Sequence, residues 1–533
     1  MTSGEGSTRI SGVSRGGIRR PAVEEADHRA GTGSIVMSNR EPRVVLSGIL
    51  VAALTLCVAP ARAPAAAPST PLLATAHRTI STTVLASQNA FDRGLIMLYA
   101  FNIGQARDEF ARAAALDPSC AMAYWGEALT EITDINRPPE AAGIARGFAA
   151  IEKARAASEA TPAERELIAA AALRFATGRT EHERAIAYAA AMRAYARAHP
   201  LDVDGLVETA FAMWEAPSDV GDPDNANLER DLDAALALDP KQVGALHLRI
   251  HYEEEVDRPE RALGNADTLE AMAFAPGESH LDHMPGHIYD RVGDYARMLT
   301  ANERAVYNDR TYFAASRMLY PELSDAGVFY MEQYHAHDVE FLLYGYTTLG
   351  RDADAQSLAA REGPRAVGRV ALRLHEWERV LNSGTTEAAA LALANAHLGN
   401  VAAASKLIDK STPPVLAKLV EAAGASARGD DRAALGAYSA AYKLDSSKYL
   451  GDPKSYWDSP IGEAYGAALL RAKNYPEAER VFTAELARFP NDPRLLFGLA
   501  TAREAQGESA EETRAMLAKW WQNATPLTLD DLG

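Results

Sequence analysis

The sequence predicts an all-α chain, a solenoid of stacked helical hairpins. Three observations predict it. Alanine is visibly the commonest residue, hydrophobic residues make up 47% and aromatic ones only 7%, which suits helices packed closely along small side chains. Small residues, aromatic residues and prolines recur at fixed offsets in well-separated parts of the chain. The 533 residues are also too many for one ordinary core, whereas an array whose units bury their faces on neighbours grows without that limit.

Residues 1–36, rich in Gly, Ser and Arg, are expected to be a disordered leader or a start placed too early, because Met37 stands just ahead of a secretory pattern. Residues 37–65 read as a signal peptide: Arg40 and Arg43, the apolar run 44–59, then small residues around Ala59-Pro60-Ala61 and Ala63-Pro64-Ala65. The alternative is a transmembrane anchor, but the run is shorter than the ~20 residues of a span and lacks stop-transfer charges. Lipidation at Cys57 is a minor alternative, since Leu56 stands where a small residue is wanted. The expected location is periplasmic or secreted, with no stable membrane insertion after cleavage. Residues 66–86 are expected to be a linker.

From Phe91 to Pro118 the chain carries Gly94, Ala106, Phe110, Ala113 and Pro118. These are the spacings of a tetratricopeptide (TPR) unit, a small residue followed by A-x3-F-x2-A and a proline. The next unit starts with Tyr124 and Ala128. A second strong match runs from His280 through Gly286, Tyr289, Gly293, Tyr295 and Ala305. A third holds Gly466, Asn474-Tyr475, Ala478, Phe482 and Pro490, and Leu496, Ala500 and Gly507 begin a last one. Weaker units end at Asp239-Pro240, contain Gly399 with Ala404, or start at Gly429 with Ala434, Tyr438 and Ala441. Breakers fall between them, at Asn136-Arg137-Pro138-Pro139, 217–227, Pro321, Thr412-Pro413-Pro414 and 449–460. The expected architecture is a TPR-type right-handed superhelix in one or two arms: residues 87–380, a softer junction near 380–386, and residues 385–525 ending in a Lys519-Trp520-Trp521 cap.

The net charge of −18 disfavours a nucleic-acid partner, which calls for a basic surface. Only Cys57 and Cys120 occur, and cleavage of the signal leaves one, so neither a disulfide framework nor a thiolate metal site is available. The sequence has no phosphate loop, G-x-S-x-G elbow, Rossmann glycine pattern or H-E-x-x-H, so no nucleotide cofactor and no serine hydrolysis are expected.

Histidine carries the chemistry. Of 13 in the chain, seven fall between 247 and 337. His247 and His251 are spaced i, i+4, and His280, His283 and His287 i, i+3, i+7, so each set lies on one helix face. TPR grooves are lined by the second, fifth, ninth and twelfth places of each unit. His280, His283 and His287 fill the second, fifth and ninth of one unit. His247, His251 and Glu254 take the fifth, ninth and twelfth of the preceding unit, and His337, Glu340 and Tyr344 the second, fifth and ninth of the following one. Three neighbouring helices therefore aim imidazoles at one groove, and helices 8–10 Å apart can share an ion whose bound nitrogens come within about 4 Å of one another.

The candidate ligands of a copper, iron or zinc site are His247, His251, His280, His283, His287 and His337, with His335, just before its helix, added to them. Glu254 and Asp338 are candidates to ligate or to fix histidine tautomers. Seven histidines exceed one tetrahedral site and suit a dinuclear one. Copper or iron would make an oxidoreductase, favoured over a zinc hydrolase; Glu254, Glu340 and Tyr344 are candidate catalytic groups, and Tyr252, Tyr289 and Tyr344 candidate substrate contacts. The alternative is a periplasmic scaffold whose groove binds a peptide, a partner protein or a small molecule without catalysis. His182, His199, His375 and His397 read as surface or packing residues, and Met122 and Trp125 as packing. Tyr449, Tyr456 and Trp457 are a joint filled with rings or a lip of the groove.

The chain resembles a family of exported bacterial TPR proteins. The resemblance is carried by Phe91, Gly94 and Tyr99 to Asn102, by Asp117 to Ala128 (DPSCAMAYWGEA), by His280 to Tyr295 (HLDHMPGHIYDRVGDY), by Tyr334 to His337 and by Tyr456 to Pro460 (YWDSP). It covers roughly residues 85–520 and implies the repeat fold and export, without a particular reaction.

Overall fold

The computed structural model describes residues 73–132, 135, 139–216, 224–319, 330–445 and 460–533. The expected leader and signal peptide lie outside them, as do Asn136, Arg137, Pro138, residues 217–223, Pro321 and residues 449–459 with Tyr449, Tyr456 and Trp457. Among the described residues the chain is α-helical throughout, and its strand-like pairings are two isolated bridges, Leu73 with Ala273 and Cys120 with Glu159.

The repeat hallmarks become contacts. The helices Leu85–Tyr99 and Ile103–Leu116 form a hairpin, and Ala121–Leu129 opens the next. Phe110 fills the space between Gly94 and Gly126; a Cβ on either would lie 2.7 or 2.5 Å from its ring. Phe482 does the same between Gly466 and Gly498, at 2.3 Å from each. Without a Cβ there, the helices approach closely enough to enclose an aromatic ring, and that burial supplies the stacking energy. Met122 and Trp125 are core residues, 0% and 1% exposed.

Residues 73–84, in the stretch expected as linker, lie along the helices. Ala76 and Ile80 are buried, Arg78 forks onto Asp202 at 2.7 and 2.8 Å, and Ser81 donates from backbone and hydroxyl to Glu164.

The C-terminal helices keep a buried cluster of their own around Tyr438, Phe482 and Leu495, yet Leu496 and Trp520 belong to the same cluster as the first half of the chain. Asn491 donates to the Gly293 carbonyl at 3.2 Å, Arg494 to that of Thr347 at 2.8 Å, and the Gln522 amide to that of Leu349 at 2.8 Å. A buried ion pair, Arg373 with Glu463 at 2.8 Å, joins the halves as well. Two of the helices that bear the histidines, Ser279–Val292 and Ala336–Thr348, are thus held at their C-terminal ends by the last repeats.

Candidate metal centre

Three helices supply the site: Val243–Glu255, Ser279–Val292 and Ala336–Thr348. They bring six of the seven candidate histidines into two adjoining trios. In the first, His247, His251 and His280 each offer a nitrogen within 4.8 Å of the other two; in the second, His283, His287 and His337 do so. His280, His283 and Asp338 meet the same distance condition, so the trios touch. Metal–nitrogen bonds of about 2.0–2.1 Å place bound nitrogens roughly 3.3 Å apart, a spacing within the distance condition that each trio meets. These clusters have the donors and spacing to hold a metal ion.

Burial disfavours the charged form of His247 and His280. His247, His280, His283 and His287 are at most 2% exposed. Loss of hydration, opposed by a hydrogen bond to the Tyr99 carbonyl, brings His247 down to about 3. Burial, and next the neighbouring His247, carries His280 well below the ordinary imidazole range. Neither ring nitrogen of His280 finds a hydrogen-bond partner, and neither does Nε2 of His247. Buried polar nitrogens left so are rare in folded proteins.

The tautomers follow from the neighbours. His247 Nδ1–H donates to the Tyr99 carbonyl at 2.6 Å, leaving the lone pair on Nε2 facing the trio. Asn302 donates its amide to the Met298 carbonyl at 2.8 Å, so its oxygen accepts from His283 Nδ1 at 2.6 Å. Asp338 lies 3.1 Å from the same nitrogen, and Glu254 lies 2.9 Å from His287 Nδ1. His283 Nε2 and His287 Nε2 lie 2.7 Å apart, the distance of an N–H···N hydrogen bond in which one ring donates and the other accepts. Either a proton shared between the two nitrogens or a metal ion bound by both satisfies that approach.

The local sequence explains the arrangement. Pro285 inside the Ser279–Val292 helix removes one backbone donor. Gly286 is bare because the Asn302 amide occupies its side-chain space; a Cβ would lie 2.5 Å from it. Aromatic rings enclose the trios. Phe101 lies 4.4 Å from His247 and 5.5 Å from His280, Tyr334 lies 4.5 Å from His280, and Phe341 packs within 5.1 Å of all three rings of the second trio. Phe101 holds a left-handed backbone, φ 56°, which L side chains rarely adopt.

The other candidates are distributed as follows. His335 is turned away from the six: its Nδ1 is 2.9 Å from Asp309 and its Nε2 3.6 Å from Glu362. Burial opposes its charge, but hydrogen bonds to those carboxylates outweigh it and raise it to about 9. It is an imidazolium at neutral pH, with no lone pair for a metal. Glu254 also holds Arg291. Burial, then the charge of Asp309, push Asp338 well above the carboxylate range. Glu340 pairs with Arg365 and Arg369, away from the imidazoles. Tyr344 is buried against Tyr295, Tyr289 donates to Asp267 and Glu270, and Tyr252 leans on Glu229, Arg249 and Arg258. His199 pairs with Glu166 at 2.9 Å, and His375 and His397 flank Trp377 in a three-ring stack.

Sequence reasoning missed Phe101, Asn302, Tyr334 and Phe341. A signal existed for Asn302. Phe110 and Phe482 each stand sixteen residues after their hallmark glycines, and Asn302 stands at the same offset from Gly286. A polar residue therefore replaces the aromatic one in the single hairpin that carries three histidines.

No protein-family model matches the chain, and no curated protein matches it. Among solved structures it is similar to the crystal structure of the P58(IPK) TPR domain, at 12% identity, with 79% of this chain and 98% of that one covered and a TM-score of 0.25. A likeness at that score carries no argument here. The repeat fold rests on the hairpins above, and the class of protein that fold and site define is an all-α repeat protein with a cluster of six histidines, four of them buried.

Proposed function

We propose that the six histidines hold a pair of transition-metal ions, one per trio, and that the chain is an exported metal-dependent oxidoreductase. The observation that carries this reading is the convergence of six histidine nitrogens in two adjoining trios, each within 4.8 Å, with His283 Nε2 and His287 Nε2 2.7 Å apart. Two all-nitrogen trios favour copper first, with iron or zinc as lesser candidates. Copper at such a pair supplies one-electron redox chemistry toward O2 and a bound substrate. The protein's own part is to present neutral imidazoles, fix their tautomers through Tyr99 and Asn302, and exclude water with Phe101, Tyr334 and Phe341. A peptide-binding groove is the competing reading of a TPR-like fold. The burial of His247, His280, His283 and His287 favours metal, because a side chain at most 2% exposed offers nothing to a docked peptide. The apolar run 44–59 behind Arg40 and Arg43 supports a place outside the cytoplasm.

The test is elemental analysis of untagged protein from its native host beside a His283→Ala, His287→Ala double variant. About two equivalents of copper, iron or zinc per chain, lost in the variant, support the reading. A wild type that is folded, free of metal and refractory to reconstitution overturns it.

A further inference from the structure

A polar cavity lies between the helices Asp352–Glu362 and Pro364–Arg373 and the segment that follows Glu511–Trp520. Its volume is about 250 Å³, more than the ~150 Å³ that takes up benzene. None of the six clustered histidines lines it. Two guanidiniums do, Arg373 at 2% and Arg494 at 3% exposed. They share one carboxylate, Glu463, whose Oε1 lies 2.8 Å from Arg373 Nη1 and 3.9 Å from Arg494 Nε. Arg494 gives Nη1 to the Thr347 carbonyl at 2.8 Å and Nε to the Asp531 carbonyl at 3.3 Å, and its Nη2 meets no acceptor among the described residues. Asp531 also lines the cavity. Its Oδ2 accepts from the Thr528 amide and hydroxyl at 2.6 and 2.7 Å, and its Oδ1 meets no donor among the described residues. A cation and an anion thus stand side by side, joined through a backbone carbonyl, with no ion pair between their side chains among the described residues.

We propose that this cavity binds a free α-amino acid, its carboxylate on Arg494 Nη2, its ammonium on Asp531 Oδ1 and its side chain against Trp521. The lining works against simpler ions. Asp352, Glu376 and Asp531 repel a ligand that is only an anion, and Arg373 and Arg494 repel one that is only a cation. A zwitterion meets both sets, and each charge-assisted bond satisfies an atom that the fold leaves unpaired. The other two carboxylates are already held. Asp352 accepts from the Asn523 amide at 2.9 Å and its other oxygen is sealed from solvent, while Glu376 accepts from Arg379 at 2.6 Å and Gln356 at 3.3 Å. Burial, and next the charge of Arg373, act against the Arg494 cation, and a bound carboxylate would offset both. Trp521 has its indole N–H tied to the Thr525 carbonyl at 2.9 Å and its ring centre 5.3 Å from the Arg494 guanidinium, so a fixed aromatic face stands beside the anchor. This site does not depend on the histidines holding metal.

The test is isothermal titration calorimetry of the full chain at pH 7, in the presence of EDTA, with L-valine, isovalerate and isobutylammonium. The three share a branched hydrocarbon end and carry both charges, the anion alone and the cation alone. The expected result is one saturable site for L-valine, about tenfold tighter than for either single-charge probe. Asp531→Asn should bring L-valine down to the affinity of isovalerate, and Gln356→Trp, which fills the cavity from the Asp352–Glu362 side, should abolish binding of all three. A cavity that holds water only, with no saturable L-valine binding in the wild type, overturns the proposal. So does a single-charge probe that binds as tightly as L-valine, an Asp531→Asn variant that keeps the preference, or undiminished binding to Gln356→Trp. EDTA removes any metal that an amino acid would chelate, so failure of the metal reading leaves this result untouched.

Discussion

Gly293 ends the helix that carries His280, His283 and His287, and its replacement by alanine tests whether the last repeats hold that helix in place. The residue has φ +74°, and an added Cβ would lie 2.1 Å from the Pro490 carbonyl oxygen and 2.7 Å from its carbonyl carbon. Both are backbone atoms, so a side-chain rotation cannot relieve the clash. The left-handed backbone costs alanine about 1–2 kcal/mol, displacing the Pro490 segment about 1–3 kcal/mol more, and loss of the Asn491 bond to the Gly293 carbonyl about 1 kcal/mol. The whole is about 3–6 kcal/mol. Gly399→Ala separates the causes: its φ is +76° but nothing lies within 4 Å, so it should cost only about 1–2 kcal/mol. Gly264→Ala, in the helix Leu263–Glu270 and with nothing near, should be neutral or stabilising by about 0.5–1 kcal/mol. Urea unfolding followed by tryptophan fluorescence measures the three, and limited proteolysis should release C-terminal fragments from Gly293→Ala alone. Equal costs for Gly293→Ala and Gly399→Ala would refute the closure of the C-terminal repeats onto the histidine helices.

Two further predictions concern buried groups. Asn302→Ala frees His283 Nδ1, and the misoriented ring should weaken metal binding about 10–100-fold in competition with a chromophoric chelator; unchanged affinity would remove Asn302 from the site. Burial, and next the charge of Asp204, raise Glu208 from 4.5 to about 8 on folding, so the native state holds more protons than the unfolded one between those values and stability falls as pH rises through that window. Glu208→Gln should therefore gain melting temperature over the wild type at pH 8.5 and show little gain at pH 4.5; equal differences at both pH values would contradict the burial argument.

The repeat units were legible because their hallmarks are contacts. Gly94, Phe110 and Gly126 touch, so their spacing is imposed by the geometry of two hairpins, and it survives in the sequence as offsets. The same register carried the six histidines to one place, since it states which helix face looks inward. What it does not state is which side chains come from the second helix of a hairpin or from a distant repeat. Asn302 reaches His283 from across a hairpin, and the Tyr99 carbonyl reaches His247 from 148 residues away in sequence. His335 was misplaced for a related reason: it is only two residues from His337, but it meets Asp309 and Glu362, neither of which the spacing of one helix reveals. The return of Leu496, Trp520 and Gln522 onto the first half depends on the accumulated path of every hairpin between, which no local pattern encodes.

Several departures from local rules fall beside the histidines, as others do elsewhere in the chain. A proline lies inside the Ser279–Val292 helix, an asparagine stands in an aromatic place, Phe101 adopts a glycine-like backbone, and buried imidazole nitrogens lack partners. Each costs stability by itself, of order 1–3 kcal/mol. In the hairpins of Phe110 and Phe482 the same fold keeps its glycine–phenylalanine packing, so the architecture does not require these exceptions. A ligand drawing on several imidazoles at once is the kind of requirement that would hold all of them together. Such a ligand would offset the orphaned nitrogens of His247 and His280, draw on the close pair His283 and His287, and make the orientation of Asn302 consequential. Peptide recognition in an open groove would need none of these buried features, because its contacts would be made by exposed side chains.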